Sequence, residues 1–206
     1  MKKRLLVLFL ILALIPAAVF ADFFDFGIGA TAQFIGNFDL TDTEDFDWSL
    51  LGDVKNYGFG ADIRTRVMFV ELDVTGLYNQ RQYNSTDYHE ISGLITGGLS
   101  LDLLGLVRIG LGMGPRVNVW INQDDGSVMV YNQNGVLDAS TDFADAFMKA
   151  PMTYRATADV KLGNLLVGLN YIVDSSGFTF ENPDTTKLAP NFDAGRIGAS
   201  ATFILF

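Results

Sequence analysis

The chain contains no cysteine, which excludes disulfides, thiol catalysis and cysteine-ligated zinc. It has one histidine, His89, so any histidine-based metal site or catalytic base would have to use that single ring. Basic residues are few. Lys and Arg total 14 against 24 Asp and Glu, a formal charge of −10. An acidic surface repels phosphate backbones, so a nucleic-acid partner is not expected. Proline is scarce, at 5 of 206 residues, and after residue 21 no apolar run nears the ~20 residues a membrane-spanning helix needs. If the mature protein sits in a membrane, it crosses with strands.

The first 21 residues stand apart. Lys2, Lys3 and Arg4 precede an apolar stretch over residues 5–15, and Val19-Phe20-Ala21 offers small residues for cleavage. This is the pattern of a secretory signal peptide cut before Asp22. Its removal takes the formal charge from −10 to −13. Residues 22–206 then form a single domain.

What the chain has in quantity is alternation. Over residues 57–67, Tyr57, Phe59, Ala61, Ile63 and Val67 alternate with Gly58, Gly60, Asp62, Arg64 and Arg66. The phase flips at Met68-Phe69, and Val70, Leu72, Val74 and Tyr78 alternate with Glu71, Asp73 and Thr75. A period of two is a strand with unlike faces, and a flip across two residues is a hairpin. Pairing about that turn sets Val67 against Val70, Arg66 against Glu71, and Arg64 against Asp73. The last two are expected ion pairs.

The pattern repeats. A first strand covers residues 24–34. Residues 93–103 and 107–119 form a second hairpin about Leu104-Gly105-Leu106, with Asp102 facing Arg108 and a bulge expected at Pro115. Residues 154–162 and 165–173 form a third about Gly163-Asn164, a strong two-residue turn signal. A last strand covers residues 194–206. Between them lie polar connections at 37–55, 79–90, 121–151 and 174–191, the third with helical turns expected over 142–149. Eight strands, three tight turns at one end and four long connections at the other predict an all-β, eight-stranded antiparallel up-and-down transmembrane β-barrel.

Charge decides which face meets lipid. Asp62, Arg64, Arg66, Glu71, Asp73, Asp102, Arg108, Arg116, Arg155, Asp159 and Lys161 fall on the glycine-rich face, so that face is the lumen and the charges form a paired network. The apolar face points outward, with Tyr57, Phe59, Tyr78, Tyr154 and Tyr171 near the loop ends as an interfacial girdle. A soluble lipocalin-like barrel would reverse the faces and bury every outward Phe, Leu and Val.

The signal peptide, the strand pattern and the terminal Phe206 together resemble the small eight-stranded bacterial outer-membrane proteins of the OmpX, OmpA-membrane-domain and OmpW types. The resemblance implies outer-membrane lipid and the barrel-assembly machinery as partners, and a C-terminal assembly signal at Ile204 and Phe206. Thr202 and Ser200 depart from that signal, while Ile197, Ala199, Ala201, Phe203 and Leu205 make the other phase more apolar. The orientation of the last strand therefore stays open.

Ser85, Asp87, His89 and Glu90 lie close in sequence, as do Asp42, Glu44, Asp45 and Asp47. Neither set has a spacing that specifies catalysis or calcium binding, and no enzyme activity, metal or cofactor is expected. The expected role is structural or surface contact, with the long loops meeting an extracellular ligand. The alternatives are a narrow pore, an OmpW-like conduit for small hydrophobic solutes, and a lipid-modifying enzyme.

Overall fold

The computed structural model describes residues 24–36, 38–39, 46–131, 137–138 and 143–206. Ten strands lie among them: β1 (Phe24–Phe34), β2 (Tyr57–Val67), β3 (Val70–Tyr83), β4 (Thr86–Leu103), β5 (Val107–Asn122), β6 (Val128–Tyr131), β7 (Leu137–Asp138), β8 (Met152–Leu162), β9 (Leu165–Asp174) and β10 (Arg196–Ile204). One helix, α1 (Phe143–Lys149), lies in the connection after β7. Sheet order runs β4-β3-β2-β1-β10-β9-β8-β5, and β4 pairs with β5 to close the ring. Eight antiparallel strands therefore form a closed up-and-down barrel, and β6 and β7 extend β5 beyond it.

The expected registers hold. Val67 pairs with Val70 and Arg64 with Asp73; Leu103 pairs with Val107 and Asp102 with Arg108; Leu162 pairs with Leu165. The short turns require unusual backbone, with Met68 at φ 60°, Leu104 at 54°, Gly105 at 68° and Gly163 at 64°. Only glycine takes that conformation without steric cost.

Two expectations are corrected. No bulge forms at Pro115. Leu94 pairs with Arg116 and Gly97 with Met113, one continuous register, and Pro115 itself sits opposite Met152. The missing N–H leaves a short gap in the β4 ladder, which costs less than shifting every residue beyond it. Residues 79–90 are not a loop. Strand β3 runs to Tyr83, Asn84 and Ser85 turn at φ 49° and 64°, and β4 begins at Thr86. Beyond the barrel rim the outward positions Gln80, Gln82, Asp87 and His89 are polar while Tyr83 and Tyr88 pack inward on Trp120, so the apolar-outward alternation vanishes while the strand continues. Three long connections and one two-residue turn therefore stand at that end.

The molecule is inside-out. Asp62 and Asp159 are 0% exposed, and Arg108 and Arg155 only 2%. Leu111 is 64% exposed and Leu169 69%, within a wall that also shows Ile28, Leu72, Val74, Ile95, Leu99 and Val160. A water-soluble monomer rarely exposes a continuous apolar belt of that extent. In β10, Ser200, Thr202 and Ile204 are buried inward while Phe203 and Leu205 are exposed. The lumen phase of the last strand is thus the less apolar one. Ile204 closes the short-turn end of the lumen and is not part of the outward alternation. Phe206 lies beyond the strand, stacked on Phe24 and Phe26 at 6.4 and 5.8 Å between centroids.

Candidate functional site: the filled lumen and the projecting sheet

Inward residues from every barrel strand meet in the lumen. Arg64 on β2 donates through Nε to Asp62 at 2.8 Å, through Nη1 to Asp159 on β8 at 2.6 Å, and through Nη2 to Ser200 on β10 at 2.8 Å. Its expected partner Asp73 is farther, at 3.5 Å. Arg155 donates to Asp62 at 2.8 Å and lies 3.3 Å from Asp73. Thr75 donates to Asp62 at 2.7 Å. A second cluster sits nearer the short turns. Arg108 reaches Asp102 and Asp25, both at 2.6 Å, and Arg66 reaches Asp25 at 2.8 Å and Asp102 at 3.0 Å. Lys161 stands 3.8 Å from Asp102.

The expected Arg66–Glu71 pair is therefore corrected. The two are register partners, but Arg66 turns to Asp25 and Asp102, each of which also serves Arg108. A carboxylate shared by two guanidiniums is neutralised more fully than one facing a single charge. Glu71 is left buried, with Oε2 unpartnered. Sequence reasoning missed Asp25. Its inward phase was legible, but the convergence of two distant arginines on it was not.

Glycine makes room for these heads. A Cβ on Gly168 would stand 2.2 Å from Asp159 Oδ1, and one on Gly110 would stand 2.5 Å from Thr157 Oγ1. What space remains is small. One cavity of about 10 Å³ lies among Glu71, Asp73, Thr96, Arg155 and Thr157, and another among Asp25, Arg64, Glu71, Arg108 and Leu166. Each has room for about one water molecule. The neighbouring polar atoms Asp73 Oδ1, Ser100 Oγ, Thr157 Oγ1 and Thr202 Oγ1 accept no hydrogen bond from the described residues and suit such a water.

Arg116, also inward and buried, lies outside these two clusters. It pairs with Asp174 at the loop end, near a second pair in which Arg81 lies 3.2 Å from Glu90. Arg81 also covers the Trp120 ring at 5.4 Å.

The five aromatics expected in a girdle all lie on the outward phase. Tyr57 Oη donates to Leu51 O at 2.8 Å, and Tyr154 Oη to Leu188 O at 2.5 Å. Tyr171 Oη donates to Phe192 O at 3.4 Å. Each ring lies on the wall while its hydroxyl holds a connection in place. Phe59 and Tyr78 face one another across β2 and β3.

The catalytic set that sequence proximity suggested does not assemble. His89 Nδ1 meets Tyr78 Oη at 2.7 Å on the outer face. Asp87 accepts from Gln82, and Glu90 faces inward against Asn79. Asp47 caps a 3-10 turn by accepting from Ser49 Oγ at 2.7 Å and Ser49 N at 3.0 Å, which together hold its carboxyl below the usual range. Asp42, Glu44 and Asp45 lie outside the described residues.

Above the rim, β3, β4, β5, β6 and β7 continue as one sheet. The β3–β4 ladder reaches Tyr83–Thr86, β4–β5 reaches Tyr88–Asn122, and β6 and β7 follow. The β2–β3 ladder stops at Phe59–Tyr78, so among the described residues no strand pairs with residues 79–83 on that side. A groove of about 470 Å³ runs along it, bordered by Lys55, Tyr57, Tyr78, Gln80, Arg81 and Gln82.

No family model and no curated protein sequence matches the chain. Similar solved structures include Neisserial surface protein A, 16% identical, with TM-score 0.42, over 88% of this chain and 97% of that one. Another is Ail, the attachment invasion locus protein of Yersinia pestis, in complex with the heparin analogue sucrose octasulfate. It is 10% identical, with TM-score 0.43, over 88% of this chain and 95% of that one.

Proposed function

We propose that this protein is a bacterial outer-membrane barrel that is exported through a cleaved signal peptide, residues 1–21, and works by contact at the cell surface rather than by conduction. The outward apolar wall supports lipid contact, since a closed barrel leaves no unpaired strand edge in the hydrocarbon. A shallow groove in that wall, about 840 Å³ and bordered by Ala32, Ala156, Ala158, Ala199 and Leu169, has the apolar character an acyl chain meets. The packed ion pairs in the lumen favour a closed interior over a pore or a solute conduit. Insertion would use the barrel-assembly machinery, with the outward Phe203 and Leu205 beside Phe206 as the apolar end it reads.

The observation that carries the contact role is the projecting sheet with its open edge. A two-residue turn makes Tyr83–Thr86 a hydrogen-bonded pair, and such pairs alternate along the ladder. Arg81 and Asn79 therefore bond to β4, while the backbone groups of Gln80 and Gln82 turn to the uncovered side. An exposed edge of this kind accepts an extended peptide as an added strand.

Membrane placement is tested by refolding in detergent micelles and comparing SDS-gel mobility with and without boiling. A protein that stays monomeric without detergent overturns it. The contact role is tested with Gln80→Pro and Gln82→Pro, which remove donors only on the open side, in cell- or peptide-binding assays. Loss of binding with the fold retained is the expected result. Unchanged binding overturns the strand-edge reading.

A further inference from the structure

The connection from β1 to β2 carries an apolar set that the barrel does not bury. Two 3-10 turns, Trp48–Gly52 and Val54–Asn56, precede β2, and neither contains a buried residue. Trp48 is 58% exposed and Val54 68%, and Leu50 is exposed between them in sequence. Large apolar side chains gathered on one surface segment mark a contact with something other than water.

The position of the segment says what that contact is. Phe34 lies on the outward phase of β1, opposite Tyr57, yet it is only 2% exposed. Its ring meets Phe46 edge-on at 5.8 Å and Tyr57 at 5.9 Å, while Trp48 meets Phe46 at 5.2 Å and Phe38 at 6.1 Å. The chain before β2 therefore folds over the outer face of β1 and covers surface that strand phase alone would leave open. Tyr57 Oη donates to Leu51 O at 2.8 Å and Asn56 Nδ2 donates to Leu50 O at 2.9 Å, which hold the turns in place. Leu51 borders the apolar groove in the wall together with Ala32, Ala199 and Tyr171. Val54 and Lys55 border the neighbouring groove beside Phe59 and Tyr78. The segment thus lies on the outer side at the level of the tyrosines, and its apolar surface continues that of the wall.

The polar groups suit the same level. Asp47 and Asp53 turn back on the chain and accept from Ser49 N and Lys55 N, each at 3.0 Å. Lys55 is exposed next to Val54, and its long stem lets the ammonium reach phosphate while the neighbouring side chain stays in an apolar layer. On the β3–β4 flank the corresponding outward residues are Gln80, Gln82, Asp87 and His89, so that flank has no such extension.

We propose that residues 48–55 are an interfacial anchor, seated where headgroups meet acyl chains in the leaflet at the loop end. Trp48, Leu50 and Val54 are the inserted side chains, and Lys55 stands at the phosphates. Tryptophan favours that boundary because its ring is apolar and its N–H polar. The anchor rests on the membrane placement proposed above and is independent of the strand-edge contact.

The chain has two tryptophans, Trp48 and Trp120, and Trp120 is buried. Trp120→Phe leaves Trp48 as the reporter in the mature chain refolded into phosphatidylcholine vesicles, with SDS-gel mobility before and after boiling as the check on folding. The vesicles contain lipid brominated either high on the acyl chain or near its end, and acrylamide probes access from water. Trp48 emission should be blue-shifted, lose most of its intensity to the shallow bromines and less to the deep ones, and resist acrylamide. Leu50→Ser combined with Val54→Ser should raise acrylamide access and relieve the bromine quenching while gel mobility is unchanged. Should Trp120→Phe fail to fold, Trp48→Phe in the unaltered background yields the same quantity as a difference. A folded barrel whose Trp48 emission is red-shifted, open to acrylamide and unaffected by bromine overturns the anchor and leaves the membrane placement standing. A chain that does not refold into vesicles overturns the placement itself. Shielding of Trp48 that grows with protein density, without bromine quenching, assigns the surface to a protein contact and also overturns the anchor.

Discussion

Arg64 and Asp159 are 95 residues apart in sequence and meet at 2.6 Å in the middle of the barrel, joining β2 to β8 across the lumen. The same guanidinium holds Asp62 at 2.8 Å. Arg64 is therefore the centre of a cluster, not half of a cross-strand pair with Asp73.

That geometry determines how charge reversal behaves. Asp73→Lys should destabilise the barrel, because it sets a cation against both Arg64 and Arg155. Adding Arg64→Asp should not restore stability, because the new carboxylate would face Asp62 and Asp159. Asp159→Ala alone should cost about 3–5 kcal/mol, the usual loss when one partner of a buried pair is removed. Urea midpoints in detergent measure all three. Recovery in the double variant would show that Arg64 and Asp73 act as an isolated pair.

Glu71 should respond in the opposite direction. It is buried with an unpartnered oxygen, while Arg66, its register partner, and Arg155, which borders the same small cavity, are engaged with other carboxylates. Glu71→Gln removes a formal charge at nearly constant volume. The urea midpoint should stay the same or rise. A loss of ~2 kcal/mol or more, the scale of a charged hydrogen bond, would reveal a cationic partner for Glu71.

The turn at Met68 is a local test. Met68 sits at φ 60°, where an L-residue with a side chain pays roughly 1–2 kcal/mol. Met68→Gly relieves that strain but adds unfolded-chain entropy, so a gain of up to ~1 kcal/mol is expected. Met68→Val should destabilise, since a β-branched residue tolerates positive φ poorly. Unfolding midpoints of the two variants should move in opposite directions.

Asp184 carries a pH dependence outside the wall. Its Oδ1 accepts from Thr186 N at 3.0 Å and Thr186 Oγ1 at 2.7 Å, and these bonds lower its pKa. A folded pKa below the unfolded one means the contribution is present above the unfolded value, about 3.9, and is lost as pH falls through the folded value. The Thr186 amide resonance should therefore titrate below about pH 4. Asp184→Ala should abolish that titration, and a Thr186 signal that is flat with pH in the unmodified protein would count against the cap.

Much was legible in the chain itself. The period of two, the phase flips at Met68-Phe69, Leu104 to Leu106 and Gly163-Asn164, and the gathering of charge on one phase determine strands, hairpins and registers, because each depends on neighbours in sequence. Sequence also determined that Arg64, Arg66, Asp73 and Asp159 share the lumen. Partner choice within the lumen was decided by the tertiary structure. Barrel closure and shear set Asp25 between Arg66 and Arg108, and Asp159 against Arg64, while leaving Glu71 without an ion-pair partner among the described residues. The projecting hairpin escaped for a different reason. Beyond the rim the outward positions turn polar, so Asn79 to Glu90 carries no apolar-outward alternation, and only the ladder with β4 reveals that the strand continues.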